Sequence, residues 1–161
     1  MCFVKAVGLC LIFSCCLSLG FYSSYKTKTG LKRLREIIKF LNHIKTKIEF
    51  FSSTLEDIYN NYTSDDDTVN LFINDISKFG WSVALNNSKD LYLSEKAKSY
   101  LKDYGSFLGK SNKDEQIIHN DYYIRQLEEE YKLLESEAEK KIKLSLSLGI
   151  YIGLMLVILF I

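Results

Sequence analysis

NKDEQIIHNDYYIRQLEEEYKLLESEAEKKIKLSLSLGIYIGLMLVILFI, residues 112–161, contains no proline and no glycine before Gly149. Nothing in it interrupts a helix. Its first part is charged and repeats apolar residues at helical spacing: Ile117, Ile124, Leu127, Tyr131, Leu134, Ala138 and Ile142. From residue 142 onward it is apolar apart from Lys143 and a few small or hydroxyl residues. Twenty helical residues at ~1.5 Å each reach about 30 Å, the thickness of a bilayer's hydrocarbon core. The stretch predicts a cytoplasmic helix that runs into a membrane span over residues 142–161.

Working outward, residues 4–22 form a second apolar run, broken only by Lys5. It reads first as a retained membrane helix within an anchor over residues 1–25. A cleaved signal peptide, with Ser18 and Gly20 before the cut, and a lipoprotein signal at Cys15 are the competing readings. Lys26, Lys28, Lys32, Arg33, Arg35 and Lys39 follow the first run, and Lys140, Lys141 and Lys143 stand at the entrance of the second. By the positive-inside rule both mark the intervening residues 26–141 as cytoplasmic, with the termini facing the opposite side. All four cysteines (Cys2, Cys10, Cys15, Cys16) lie in the first sixteen residues, so the rest holds no disulfide framework and no CxxC pair. A net charge of +1 makes no case for nucleic acid.

Between the runs, Leu31, Leu34, Ile37, Ile38, Leu41, Ile44, Ile48, Phe51, Leu55 and Ile58 step by three and four. This predicts a long helix, with a joint near residues 52–54 where Ser53 and Glu56 would form a capping box. Residues 62–67 (YTSDDD) are a polar break; the aspartates lack the glycine and distal glutamate of an EF-hand loop and read as a helix cap. Leu71, Phe72, Ile76 and Phe79 mark a short helix, Gly80 ends it, and residues 85–90 read as a loop. Ser94 starts the next helix, with Ala97, Tyr100, Leu101, Tyr104, Phe107 and Leu108 inward. Ser111 or Asn112 caps the last. Residues 23–61 carry eight Lys/Arg against four Asp/Glu, and residues 113–141 carry five against nine. Opposite charge favours antiparallel pairing of the first and last helices, although exposed pairs contribute only ~0–1 kcal/mol each. The fold class is all-α: an antiparallel helical bundle flanked by an N-terminal and a C-terminal transmembrane helix.

Catalytic patterns are missing. The sequence has no GxxxxGK[ST], GxSxG or HExxH. Its two histidines, His43 and His119, read as rim residues, and Glu128, Glu129 and Glu130 as a solvated face. No catalytic, cofactor or metal residue is expected, and the chain is expected not to be an enzyme. Function then lies in surfaces. Ser145, Gly149 and Gly153 repeat every fourth residue in the terminal run, and Ala6, Cys10, Ser14 and Ser18 in the first. Such stripes let helix backbones approach closely. They suit packing of the two spans on each other or on other membrane subunits, including further copies of this chain.

The joint LGKSNKDEQ, with Leu108, Gly109, Ser111, Asn112 and Gln116, resembles the LGxSDxxxQ signature of the stage III sporulation protein AB family of endospore-forming bacteria. The order of parts is similar as well: a first span, a long helix, a middle bearing Trp81, the signature, a charged helix and a glycine-containing apolar tail. Asn112 replaces the family's usual aspartate, and Thr54 stands where the family often has a proline. The resemblance implies a subunit of the channel between mother cell and forespore. Its soluble domain would be similar to the cytoplasmic helical domains of the platform protein of type II secretion machines. Implied partners are the channel's other membrane subunits, a secretion-type ATPase and membrane lipid. The implied location is the cell membrane on the mother-cell side. A membrane-anchored helical sensor or signalling module is the alternative.

Overall fold

The computed structural model describes residues 2–51 and 54–160, with side chains at 25–51, 54–141, Lys143, Leu144, Ser147, Tyr151 and Met155. Among the described residues six α-helices follow one another: α1 (Cys2–Phe50), α2 (Leu55–Asn60), α3 (Asp67–Phe79), α4 (Trp81–Asn87), α5 (Glu95–Phe107) and α6 (Lys113–Phe160), with a 3-10 turn at Lys89–Leu91 before α5. There is no strand among the described residues. The chain divides into two compact units, Thr29–Leu134 and the paired segments Met1–Lys28 with Glu135–Ile161. In the second unit, the described backbone is helix throughout. Among the described residues no helix is long and apolar enough to cross a membrane. Residues 4–22, and Ser145, Gly149 and Gly153 of the terminal run, lie outside the described side chains.

Within Thr29–Leu134, α1 buries Leu34, Ile37, Ile38, Leu41 and Ile44, the stripe its spacing predicts, and adds the fully buried Phe40. Two contacts fix its direction against α6. The Arg35 guanidinium donates to the Tyr131 hydroxyl and covers its ring, and Lys45 Nζ meets Asp121 Oδ1 at 2.6 Å. As the α1 position rises, the α6 position falls by the same amount, so the two helices are antiparallel. Lys45–Asp121 is a pair of the kind the charge asymmetry predicts. Apolar burial supplies the larger share of the stability, at roughly 25 cal/mol per Å².

α1 ends at Phe50 and α2 begins at Leu55, on either side of the joint predicted near residues 52–54. Thr54 caps α2, its hydroxyl accepting from Asp57 N at 3.2 Å. Ser53, the residue expected in that role, lies outside the described residues. In α3 the buried face is Val69, Phe72, Ile73 and Ile76, while Leu71 and Phe79 are exposed. The predicted set mixed two faces; the i, i+3, i+4, i+7 series is the one that faces inward. Residues 85–87, read as loop, complete α4, and Leu85 is buried there. Ser94 caps α5 as predicted, accepting from Ala97 N at 3.1 Å.

Buried charge is placed with its partners, as desolvation demands. Glu36, 5% exposed, accepts from Lys39 at 2.7 Å and from the Ser64 hydroxyl at 3.1 Å. The Lys39 hydrogen bond is the largest influence and holds the Glu36 carboxyl below the usual range, against burial. Glu128 and Glu129 face solvent, but Glu130 turns inward. It accepts from the Ser94 hydroxyl at 2.9 Å and pairs with Lys96 at 3.2 Å, so it belongs to the anchoring of α5 and not to a solvated face. Asp66 caps α3 and pairs with Arg33 at 3.2 Å, which places the YTSDDD break firmly on α1.

Candidate functional site: the turn between α5 and α6

The turn is built by local chemistry. α5 ends as Leu108 N donates to the Tyr104 carbonyl at 3.1 Å, and Lys110 N closes a turn onto the Phe107 carbonyl at 3.1 Å. Between them Gly109 adopts φ +78°, a region that L side chains rarely occupy. Asn112 then caps α6: its Oδ1 accepts from Glu115 N at 2.9 Å. An amide oxygen serves here as a carboxylate would. Gln116 reaches back across the turn, its Nε2 donating to the Ser111 carbonyl at 2.8 Å and its Oε1 accepting from Gly109 N at 3.4 Å. Leu108, Gly109, Ser111, Asn112 and Gln116 are thus one assembly, and Leu108 is packed on the core.

Ser111 is not the cap. Its hydroxyl is buried, and Ser111 shares a cavity lining with two buried polar residues: Tyr104 on α5, 2% exposed, and Asn120 on α6, 1% exposed. All three line one small cavity with Phe107, Leu108, Gln116 and His119. Burial, and after it the neighbouring Tyr59, pushes the Tyr104 phenol well above its usual range, so it stays protonated. Tyr104 was expected among the inward residues of its helix, whereas Asn120 does not announce itself in the sequence as a buried polar residue.

The turn is set against an aromatic core. Trp81 meets Tyr104 edge-on at 5.1 Å, Phe72 edge-on at 6.0 Å and Phe40 stacked at 6.3 Å, and its indole N–H donates to Tyr59 at 3.3 Å. Gly105 permits this, because a Cβ there would collide with the Trp81 side chain. His119 stacks on Phe107 at 5.0 Å. His43, on α1, tilts against Tyr62, and burial, followed by the charge of Lys47, pushes its imidazole below the usual range. The two histidines therefore stand in separate aromatic contacts. No group of three or more His, Cys, Asp or Glu is placed to hold a metal ion among the described residues. The Ser145, Gly149 and Gly153 stripe falls within α6, and its side chains lie outside those described.

What the arrangement does is hold two helices at a fixed angle and register. Comparison with curated proteins finds no match, and comparison with solved structures finds none either. Among protein families the match is Stage III sporulation protein AB, over residues 5–161, a span that includes both apolar runs and the α5–α6 turn. The chain belongs to the stage III sporulation protein AB family, which gives it a role in sporulation.

Proposed function

We propose that this protein is a non-catalytic membrane platform or adaptor subunit of a secretion-like channel between mother cell and forespore. The two apolar runs are its anchors. Its helical body stands in the mother-cell cytoplasm, where it relays a secretion-type ATPase to the channel's membrane subunits. The observation that carries this reading is the antiparallel pairing of α1 and α6 inside Thr29–Leu134. It returns the chain to the end of the body at which it entered, as a body tethered at both ends to one membrane requires. The clusters of lysine and arginine at residues 26–39 and 140–143 add the cytoplasmic orientation. The Ser145, Gly149 and Gly153 stripe would seat a neighbouring helix, either the first span or another subunit, a second copy included.

The test is co-purification of the tagged full-length chain from sporulating cells. Recovery of channel membrane subunits together with the ATPase is the expected result. Recovery of neither overturns the reading. Gly149→Leu should insert normally but weaken that recovery; unchanged recovery removes the stripe from the account.

A further inference from the structure

We infer that the signature turn builds a binding site for one structural water, held by Ser111, Tyr104 and Asn120. Four buried polar atoms belong to residues that line this cavity: the Ser111 hydroxyl, the Tyr104 hydroxyl, and both the Oδ1 and Nδ2 atoms of Asn120. Each is buried, and none finds a hydrogen-bond partner among the described residues. Buried polar groups of this kind are costly unless paired, and natural cores pair nearly all of them. The neighbouring polar side chain, Gln116, is already committed to Ser111 O and Gly109 N. His119, the remaining polar lining residue, stacks flat on Phe107, with its ring 7° from parallel.

Size selects the ligand. The cavity, about 10 Å³, is at the lower end of what holds a single water. Chemistry agrees with size. A water has two donors and two acceptors, while hydroxyls can play either part and an amide offers one of each kind. The water can donate to Asn120 Oδ1 and to one hydroxyl while accepting from the other. This gives Ser111 a role separate from capping: Asn112 starts α6, and Ser111 turns its hydroxyl inward to complete a bridge from α5 to α6.

The test is solution NMR on the full-length chain in detergent micelles, with asparagine side-chain amides labelled. A long-lived water cross-peak to the Asn120 amide protons is expected. It should persist in Asn112→Ala, which weakens the cap alone, and be lost or sharply weakened in Ser111→Ala and Tyr104→Phe. Absence of the peak in the wild-type chain, with the Asn120 amide protected from exchange, would show these groups bonding one another directly and overturn the proposal. So would a peak indifferent to both hydroxyl deletions. If either hydroxyl variant fails to fold, the other and the wild-type spectrum still decide.

Discussion

The two turns that bracket α5 face the same demand, a backbone reversal with a positive φ, and meet it in opposite ways. At the α5–α6 turn the residue is Gly109, and its bracing comes from within a few positions: Asn112 to Glu115 N, Gln116 to Ser111 and Gly109. At the turn before α5 the residue is Tyr92, at φ 52° and ψ 34°. A side chain in that region costs roughly 1–2 kcal/mol. Bracing there comes from far along the chain. The Arg33 guanidinium donates to the Asp90 carbonyl, lies 5.7 Å from the Tyr92 ring centre, and also holds Asp66 at 3.2 Å and Thr68 at 2.8 Å. Gly30, one turn earlier on α1, lets the Tyr92 carbonyl approach the helix backbone. One turn is a local motif; the other is a tertiary clasp.

That contrast can be broken most forcefully at Arg33. Arg33→Ala leaves the nearly buried Asp66 carboxylate without its cation, which should cost about 3 kcal/mol. Trp81, the single and buried tryptophan, reports this as an earlier denaturant midpoint of the full chain in micelles. The pH dependence sharpens the same point. Burial, the largest influence on Asp66, raises its pKa, but attraction and hydrogen bonding from Arg33 with backbone N–H donors together hold it below the usual range. A folded-state pKa below the unfolded one gives stability that is whole above the unfolded value. It fades as pH falls toward the folded value and is gone beneath it. Arg33→Ala should flatten that acid limb.

Gly30→Ala comes next. Its new methyl would collide with the Tyr92 carbonyl, and two backbones must part to admit it, at ~1–3 kcal/mol. The same unfolding measurement should show it, while the signature turn's amide protection stays as it was. At the local turn, Gly109→Ala should cost ~1–2 kcal/mol through its φ alone, because the Leu55 methyl it approaches can move aside. Smallest are the cap substitutions. Asn112→Ala should lose ~1 kcal/mol, and Asn112→Asp should gain a few tenths as its charge meets the helix N-terminus. Thermal unfolding of the three chains side by side ranks them. A clasp variant that loosens the signature turn, or a cap variant that loosens the Tyr92 turn, would dissolve the distinction.

The distinction also marks what was legible in the sequence. Periodicity exposed the helical class, the α1 stripe and the starts of α5 and α6, because spacing and capping act within a few residues. Asn112 was legible for the same reason, as a candidate cap, whereas Gln116 entered only with the family resemblance. Ring-to-ring packing around Trp81, the Arg33 clasp and the inward turn of Glu130 depend on residues 22 to 57 positions away. No local pattern announces them. Leu71 and Phe79 illustrate the limit: apolar type marked them as part of a helix, and only the phase of α3 shows that they are exposed. Ser64 is the converse case, a serine in a polar break that is 7% exposed because its hydroxyl serves Glu36.

Topology is the most direct test of a cytoplasmic body between two anchors. In a chain with Cys2, Cys10, Cys15 and Cys16 replaced, single cysteines would be placed at Ser82, which is exposed on α4, and after Ile161. A membrane-impermeant thiol reagent would be applied to intact cells, with lysed cells as the control. With the body in the cytoplasm, Ser82→Cys should be protected until lysis while the terminal cysteine labels at once. Labelling of Ser82→Cys from outside would put the body on the far side of the membrane and contradict the platform reading.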